Sequence, residues 1–259
     1  MGSRGLTRVL AVASNTFREA IRERVLYNLL FFAIVMTASG LLLGRLSIRQ
    51  DEKIIKDIAL AAMDLFGTAI AIFVGVGLVS KEIERRSLHP LMAKPLTRDE
   101  FLIGKFAGLS FTLLVNVVVM AAGLYLTLLL TGGRTDVRLL AAVFPIFLSL
   151  VLTVSLALLF SIFTSTTLAA FGSMILVVAG RFSDVIRNMR EVAPGAPSWL
   201  IQGLYYTLPN YHNFDFKDRV VYGDPVTGGD LAWVTAYAAV YTSFVIGVAL
   251  WSFRRREFV

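Results

Sequence analysis

Long apolar blocks separated by short polar links constrain the fold of this chain more than any other feature. Hydrophobic residues make up 56% of the 259 residues, and the mean hydropathy is +0.72, whereas a soluble domain has roughly 45–50% apolar residues. A block of about 20 apolar residues is long enough for a helix to cross a bilayer. Because lipid cannot hydrogen-bond a free backbone amide, such blocks form helices. The sequence therefore predicts an all-α polytopic membrane protein.

Six of these blocks are predicted to span the membrane within one transmembrane domain that covers residues 1–259. They lie at residues 27–44, 58–79, 106–130, 139–163, 165–180 and 231–253. Residues 5–24 have apolar side chains at helical spacing and an arginine-rich opposite face, which is typical of a helix in the membrane interface. Residues 181–230 form the one long connection, and its apolar spacing predicts two short amphipathic helices beside the outer surface.

The distribution of lysine and arginine predicts the orientation. More than half of the 25 Lys and Arg residues lie in residues 1–24, in the segment 80–105 and in the C-terminal tail. Positive residues are enriched on the cytoplasmic side of membrane proteins. We therefore expect both termini and the 80–105 segment in the cytoplasm, with the protein in the plasma membrane or the bacterial inner membrane. The net charge of +7 is explained by this bias and does not indicate nucleic acid binding.

The segment 80–105 is densely charged and joins two apolar blocks. Thr97 is predicted to cap a helix that has Asp99 and Glu100 in its first turn, where carboxylates interact favourably with the helix dipole. A short helix before this point presents Leu88 and Leu91 among charges, and apolar side chains facing water indicate a partner. The segment is interpreted either as a docking element for a soluble protein or as a plain solvated loop.

The sequence predicts no catalytic, cofactor-binding or metal-binding residue in this chain. There is no cysteine, and the two histidines, His89 and His212, fall in different loops and match no HExxH pattern. No stretch matches the GxxxxGK[ST] loop that binds nucleotide phosphates. The chain is therefore not expected to hydrolyse ATP. A lipid-modifying enzyme is also not favoured, because it needs clustered acidic or histidine residues at one membrane face and the sequence has none.

Asp64 is the exception to an otherwise uncharged set of spans. It lies six residues into the block 58–79, about 9 Å along a helix. Ionisable residues inside membranes form structural ion pairs or mark functional paths. Two interpretations stay open: Asp64 reaches the outer surface or pairs with Arg45 or Lys56, or it faces a translocation path.

Gly104 and Gly108 have the spacing that lets two membrane helices approach closely. Close packing within the chain and a subunit interface are both compatible with this pattern.

The 80–105 segment closely resembles the loop between the second and third spans of ABC-2 type transporter permeases, the membrane subunits of ATP-driven transporters. The matching residues are SKEIERRSL at 80–88, LMAKPLTR at 91–98, Phe101, and GK at 104–105. The order of elements is also similar to that family, with an interfacial helix, six spans and an outer helical loop before the last span. The most similar subgroup is the permease class labelled for multi-copper enzyme maturation or gliding-type systems.

This resemblance implies that 80–105 contains a coupling helix that docks on a separate ATPase chain, where ATP and Mg²⁺ bind. It implies two ATPase copies with two permeases, either identical or homologous, surrounded by lipid, and it makes export the expected direction. The residues it implies at the ATPase contact are Glu82, Glu84, Arg85, Arg86, Ser87, Leu88, Leu91, Lys94 and Arg98.

Two further interpretations concern the cargo and the type of work. The chain could be an ABC-type membrane anchor that does mechanical or regulatory work on a protein partner, for example one bound to the 181–230 loop, without transport. Copper is poorly supported as cargo, because soft metal sites use Cys and Met, Cys is absent and the seven Met residues show no pairing.

Overall fold

The computed structural model describes residues 3–21, 31–32, 51–84, 97–133, 135–183, 203 and 207–255. Within these ranges all regular structure is helical, which confirms the predicted fold class there. The helices are α1 (Ser3–Ala20), α2 (Asp51–Glu84), α3 (Arg98–Leu130), α4 (Leu140–Phe163), α5 (Thr166–Arg181), α6 (Lys217–Tyr222) and α7 (Gly228–Arg255), with 3₁₀ turns at Val137–Leu139 and Tyr211–Phe214.

Four of these helices, α2, α3, α4 and α7, are long and apolar enough to cross a membrane. Helix α5 is also apolar but has 16 residues, and about 24 Å of helix is shorter than the hydrocarbon core of roughly 30 Å. The predicted span at 27–44 lies outside the described residues except for 31–32, and the two helices predicted near 182–189 and 198–208 lie almost entirely outside them. The chain is a multi-pass membrane protein.

Large apolar side chains cover the outward surfaces of these helices. Phe171 and Ile175 of α5 and Val240 and Phe244 of α7 each expose more than 60% of their surface. Apolar surface of this extent is unusual on a soluble monomer, whereas in a bilayer it contacts acyl chains. The exposed faces therefore agree with the length and hydropathy of the helices.

Helix α4 is the centre of the bundle and packs against α2, α3, α5 and α7. Leu150, Leu152 and Leu158 are fully buried although they point in different directions around the helix. Two glycines of α2 allow close contact: Gly67 faces Leu150, and Gly75 faces Ala157. Because both pairs ascend in number together, α2 and α4 run in the same direction.

Helix α1 packs along the first half of α3, and the predicted glycine pair forms this contact. A Cβ on Gly104 would lie 2.6 Å from Val12, and a Cβ on Gly108 would lie 2.6 Å from the carbonyl oxygen of Ala13. The predicted close approach is confirmed, and its partner belongs to the same chain. Leu10 on the far side of α1 stays exposed, as expected of a helix with one face in lipid.

The described contacts define two ends of the bundle. The Arg98 end comprises α1, the start of α3 and the end of α7, which meet through Arg98 and Arg8. The Asp64 end comprises the start of α2, the end of α5 and residues 207–222, which meet through Asp64, Arg181 and Lys217. Of the site residues predicted from the sequence, Arg98 lies at the first end and Asp64 at the second.

Candidate functional site

The predicted ATPase contact falls mostly on residues that lie outside the described ranges. Helix α2 continues past the predicted span end at 79 as far as Glu84, so Glu82 and Glu84 lie in its last turn. The segment 85–96 is outside the described residues and holds six of the predicted contacts: Arg85, Arg86, Ser87, Leu88, Leu91 and Lys94. Arg98 is the predicted contact whose side chain the structure describes.

A capping box fixes the point where the chain enters α3. The amide N–H of Glu100 donates to the Thr97 hydroxyl oxygen at 3.2 Å, and the amide N–H of Thr97 donates to the Glu100 carboxylate at 3.0 Å. The predicted cap is therefore confirmed. Since this reciprocal pair satisfies two otherwise free amides, α3 begins at a defined residue directly after the charged segment.

The first turn of α3 is bonded to the last turn of α7. Arg98 donates to the carbonyl oxygens of Phe253 at 3.3 Å and Arg254 at 3.2 Å. The Arg254 guanidinium in turn donates to Asp99, with one bond of 2.9 Å. The last carbonyls of a helix have no partner within the helix, so Arg98 caps α7 from outside. The contact of Arg98 with an ATPase stays a prediction.

Two ion pairs join α1 to the same region of α3. Arg8 lies 3.7 Å from Glu100, and Lys105 lies 3.6 Å from Glu19. Lys105 is almost fully buried, and its ammonium also lies 5.8 Å from the ring centre of Phe101. The start of α3 is thus bonded to α1 on one side and to α7 on the other.

At the Asp64 end, one buried carboxylate accepts hydrogen bonds from two cations. Arg181 donates to both oxygens of Asp64, at 2.7 and 3.0 Å. Lys217 donates to the first of these oxygens at 3.1 Å, and Arg181 also donates to the Thr68 hydroxyl at 3.0 Å. A bidentate arginine–carboxylate pair is among the strongest charge-assisted contacts, and here it joins α2, α5 and α6.

These partners differ from those expected from the sequence. Lys56 bonds to Glu52 within α2, and Arg45 lies outside the described residues. The expectation that Asp64 pairs with Lys56 or reaches the surface is wrong, because Asp64 is buried and lies eight residues, about 12 Å, beyond Lys56 along the helix. The position of Asp64 on a translocation path stays a prediction.

Sequence reasoning missed Arg181 and Lys217. One signal was available for Arg181, because it directly follows the apolar block 165–180 and falls on the same predicted side of the membrane as Asp64. A carboxylate inside a span requires a cation at a similar depth. Lys217 gave no comparable signal, since it lies in the long loop 153 residues from Asp64.

A cavity of about 100 Å³ opens beside this cluster. Its described lining residues are Asp64, Ile146, Ser149, Arg181, Tyr211, His212, Phe214, Asp215 and Lys217. The Tyr211 hydroxyl is 2.9 Å from the Thr153 hydroxyl, and burial raises the pKa of Tyr211 well above its usual range. Tyr211 is therefore neutral at physiological pH, and the charges of the described lining come from Asp64, Arg181, Lys217 and Asp215.

A family model described as ABC-2 family transporter protein matches residues 10–182, which is more than half of the chain. The match contains the 80–105 segment, Asp64 and Arg181, whereas Lys217 and α7 lie beyond it. No curated protein matches the chain.

Proposed function

The chain belongs to the ABC-2 family of transporter proteins as a multi-pass membrane subunit, and we propose that it exports a substrate with energy from a separate ATPase. The match to the family carries this proposal, because it spans the charged segment that would dock on the ATPase. Since the sequence lacks a GxxxxGK[ST] loop, ATP and Mg²⁺ bind to the partner chain. Two such subunits and two ATPases make the working unit.

The route of the chain supports six spans with both termini on one side. Phe17 of α1 contacts Phe111 of α3, and Phe32 lies 3.7 Å from the Cβ position of Gly123, further along α3. Helix α2 starts at the Asp64 end, where Lys53 lies over the Tyr222 ring. The described positions of α1, Phe32 and the start of α2 are compatible with the predicted span at 27–44, which stays a prediction.

The contacts at the Arg98 end suggest how ATPase motion reaches the membrane. The segment 80–96, with its predicted contacts from Glu82 to Lys94, enters α3 at the Thr97 cap. Its displacement moves the start of α3, and α1 and α7 follow because ion pairs and Arg98 bind them to it. In this proposal the Arg98 end faces the cytoplasm of a bacterial cell, and the membrane is the inner membrane.

Gentle affinity purification of the full chain from its native membrane, followed by mass measurement of the intact complex, tests this function. We expect a soluble chain with a GxxxxGK[ST] loop, at about one copy per permease. The combined reversal Glu82→Arg with Arg85→Glu is expected to release it. Arg138→Glu, an exposed change at the opposite end, is the control and leaves the complex intact.

Recovery of the chain alone, under conditions that preserve other membrane complexes, contradicts the proposal. Recovery with a protein that binds the 181–230 loop and without an ATPase favours the anchor or regulator. The intact mass also distinguishes a pair of identical permeases from a pair of homologous ones.

A further inference from the structure

The cavity at the Asp64 end has more positive hydrogen-bond donors than its buried carboxylate can occupy. Among the described residues, three of the five N–H groups of Arg181 have acceptors, two on Asp64 and one on Thr68. The Lys217 ammonium has three N–H groups and donates one of them to Asp64. The side chains of both cations line the cavity, so a further acceptor entering it meets donors on two sides.

The sign of the charge favours an anion as the occupant. Asp64 is already compensated by two cations, and an added cation would be repelled by both. Asp215 lies 3.7 Å from Lys217 and balances the formal charge of the described lining, but at 44% exposed it is the most exposed of the four charged side chains. Solvent therefore screens its charge more than that of the other three. Within the described part of the chain, no group of three or more Asp, Glu, His or Cys residues could hold a metal ion.

The cavity is open to one side, and its inner space accommodates a small group. About 100 Å³ is several times the roughly 10–15 Å³ that one water molecule needs. Drug-sized ligands need roughly 300–1,000 Å³. A tetrahedral phosphate group fits this space, and its several oxygens suit the fork of an arginine together with the ammonium of a lysine.

We propose that this cavity binds a phosphate group, which competes with Asp64 for Arg181 and Lys217. The group belongs either to free phosphate or to the headgroup of an anionic phospholipid. Its binding replaces part of the link between α2 and α5, because Asp64 on α2 then shares Arg181 of α5 with the ligand. If the phosphate group is part of the transported substrate, that role rests on the function proposed above. Binding of the group needs only residues of this chain.

Equilibrium dialysis of the purified full-length chain in detergent against labelled inorganic phosphate tests the site. Asp64→Asn removes the competing charge at nearly constant volume, so phosphate affinity is expected to rise about tenfold. Lys217→Gln removes one donor while the Asp64–Arg181 pair persists, so affinity falls about tenfold. Lys217→Arg keeps the charge and restores binding. Arg138→Gln, a change at an exposed arginine in the 3₁₀ turn that contacts α6, leaves affinity unchanged.

The same variants in nanodiscs of phosphatidylglycerol or phosphatidylcholine separate the two sources. Dialysis binding with the stated order of variants supports a site for free phosphate. If the variants show this order only in the amount of phosphatidylglycerol that they retain, and not in phosphate binding, the site binds a lipid headgroup. An equal loss in Lys217→Gln and Arg138→Gln overturns the proposal. So does an Asp64→Asn variant that unfolds at the same temperature as the unmodified chain and binds no more phosphate.

Neither result depends on the ATPase. Binding is measured on this chain alone, so loss of the site leaves the copurification result standing. Failure to recover an ATPase likewise leaves the phosphate measurement standing.

Discussion

The two ends of the bundle both rely on charged side chains, but they arrange them differently. At the Arg98 end, each described acid has its own cation: Asp99 has Arg254, Glu100 has Arg8, and Glu19 has Lys105. At the Asp64 end, Glu52 and Asp230 also have one described cation each, but the buried Asp64 is shared by two cations beside a cavity. Both arrangements join helices, and the second also leaves donors available for another acceptor.

In the proposed function, this difference corresponds to two separate tasks. Matched pairs and a helix cap resist relative movement of α1, α3 and α7, which suits transmission of force from the ATPase. A shared carboxylate is easier to exchange, because a competing anion can take one of its cations while the other stays paired.

The largest expected effect is the loss of the carboxylate at the Asp64 end. Asp64→Ala leaves Arg181 and Lys217 close together in a partly buried site, and breaking a buried ion pair costs about 3–5 kcal/mol. Because Arg181 is partly exposed, we expect a loss of about 3 kcal/mol, measured by thermal unfolding in detergent. Asp57→Ala, an exposed change in the same helix, is the control, and equal losses in both variants would contradict the description of the cluster.

At the Arg98 end, a larger residue in the α1–α3 contact is expected to cause the next largest effect. Gly108→Val places a side chain against the Ala13 carbonyl and Thr16, and overpacking costs about 1–3 kcal/mol. Limited proteolysis should then cleave α1 faster. Gly247→Val in α7 meets no atom within 4 Å and serves as the control. Unchanged proteolysis of α1 in Gly108→Val would show that α1 is not held at this glycine.

Loss of the buried hydroxyl beside the cavity should have a smaller effect. Tyr211→Phe removes the bond to Thr153, and one buried hydrogen bond contributes about 0.5–1.5 kcal/mol. Chemical denaturation in mixed micelles measures it, with Tyr222→Phe as the control because Tyr222 is exposed. If both tyrosine variants unfold at the same denaturant concentration, the Tyr211–Thr153 bond contributes nothing to this end.

The smallest expected effect on stability comes from Arg98→Ala, about 0.5–1 kcal/mol, because its bonds are partly exposed. Its effect should be local: hydrogen exchange becomes faster in the last turn of α7. Arg138→Ala at the Asp64 end should leave that turn unchanged. Equal hydrogen exchange at Phe253 in the unmodified chain and in Arg98→Ala would show that Arg98 does not cap α7.

Local features of the fold were readable in the sequence. The Thr97 cap depends on residues three positions apart, and the long apolar blocks determine helices directly. The spacing of Gly104 and Gly108 predicted a close approach of another helix. It could not identify α1 as that helix, because small residues do not specify their partner.

The candidate sites were readable only in part. Asp64 could be identified as a charge inside a span, but its partners lie 117 and 153 residues away. Their meeting depends on how α2, α5 and α6 pack around α4, which no local pattern specifies. The contacts implied by family resemblance from Glu82 to Lys94 stay predictions.

The central claim is that the two ends have separate functions. Native mass spectrometry of the affinity-purified complex, from membranes that contain phosphatidylglycerol, detects two bound species in one sample. The retained ATPase reports on the Arg98 end, and the retained phosphate-bearing ligand reports on the Asp64 end. The account predicts that Glu82→Arg with Arg85→Glu loses the ATPase and keeps the ligand, while Lys217→Gln keeps the ATPase and loses the ligand. If both variants lose both partners, or if neither variant loses the partner assigned to its end, the account is contradicted.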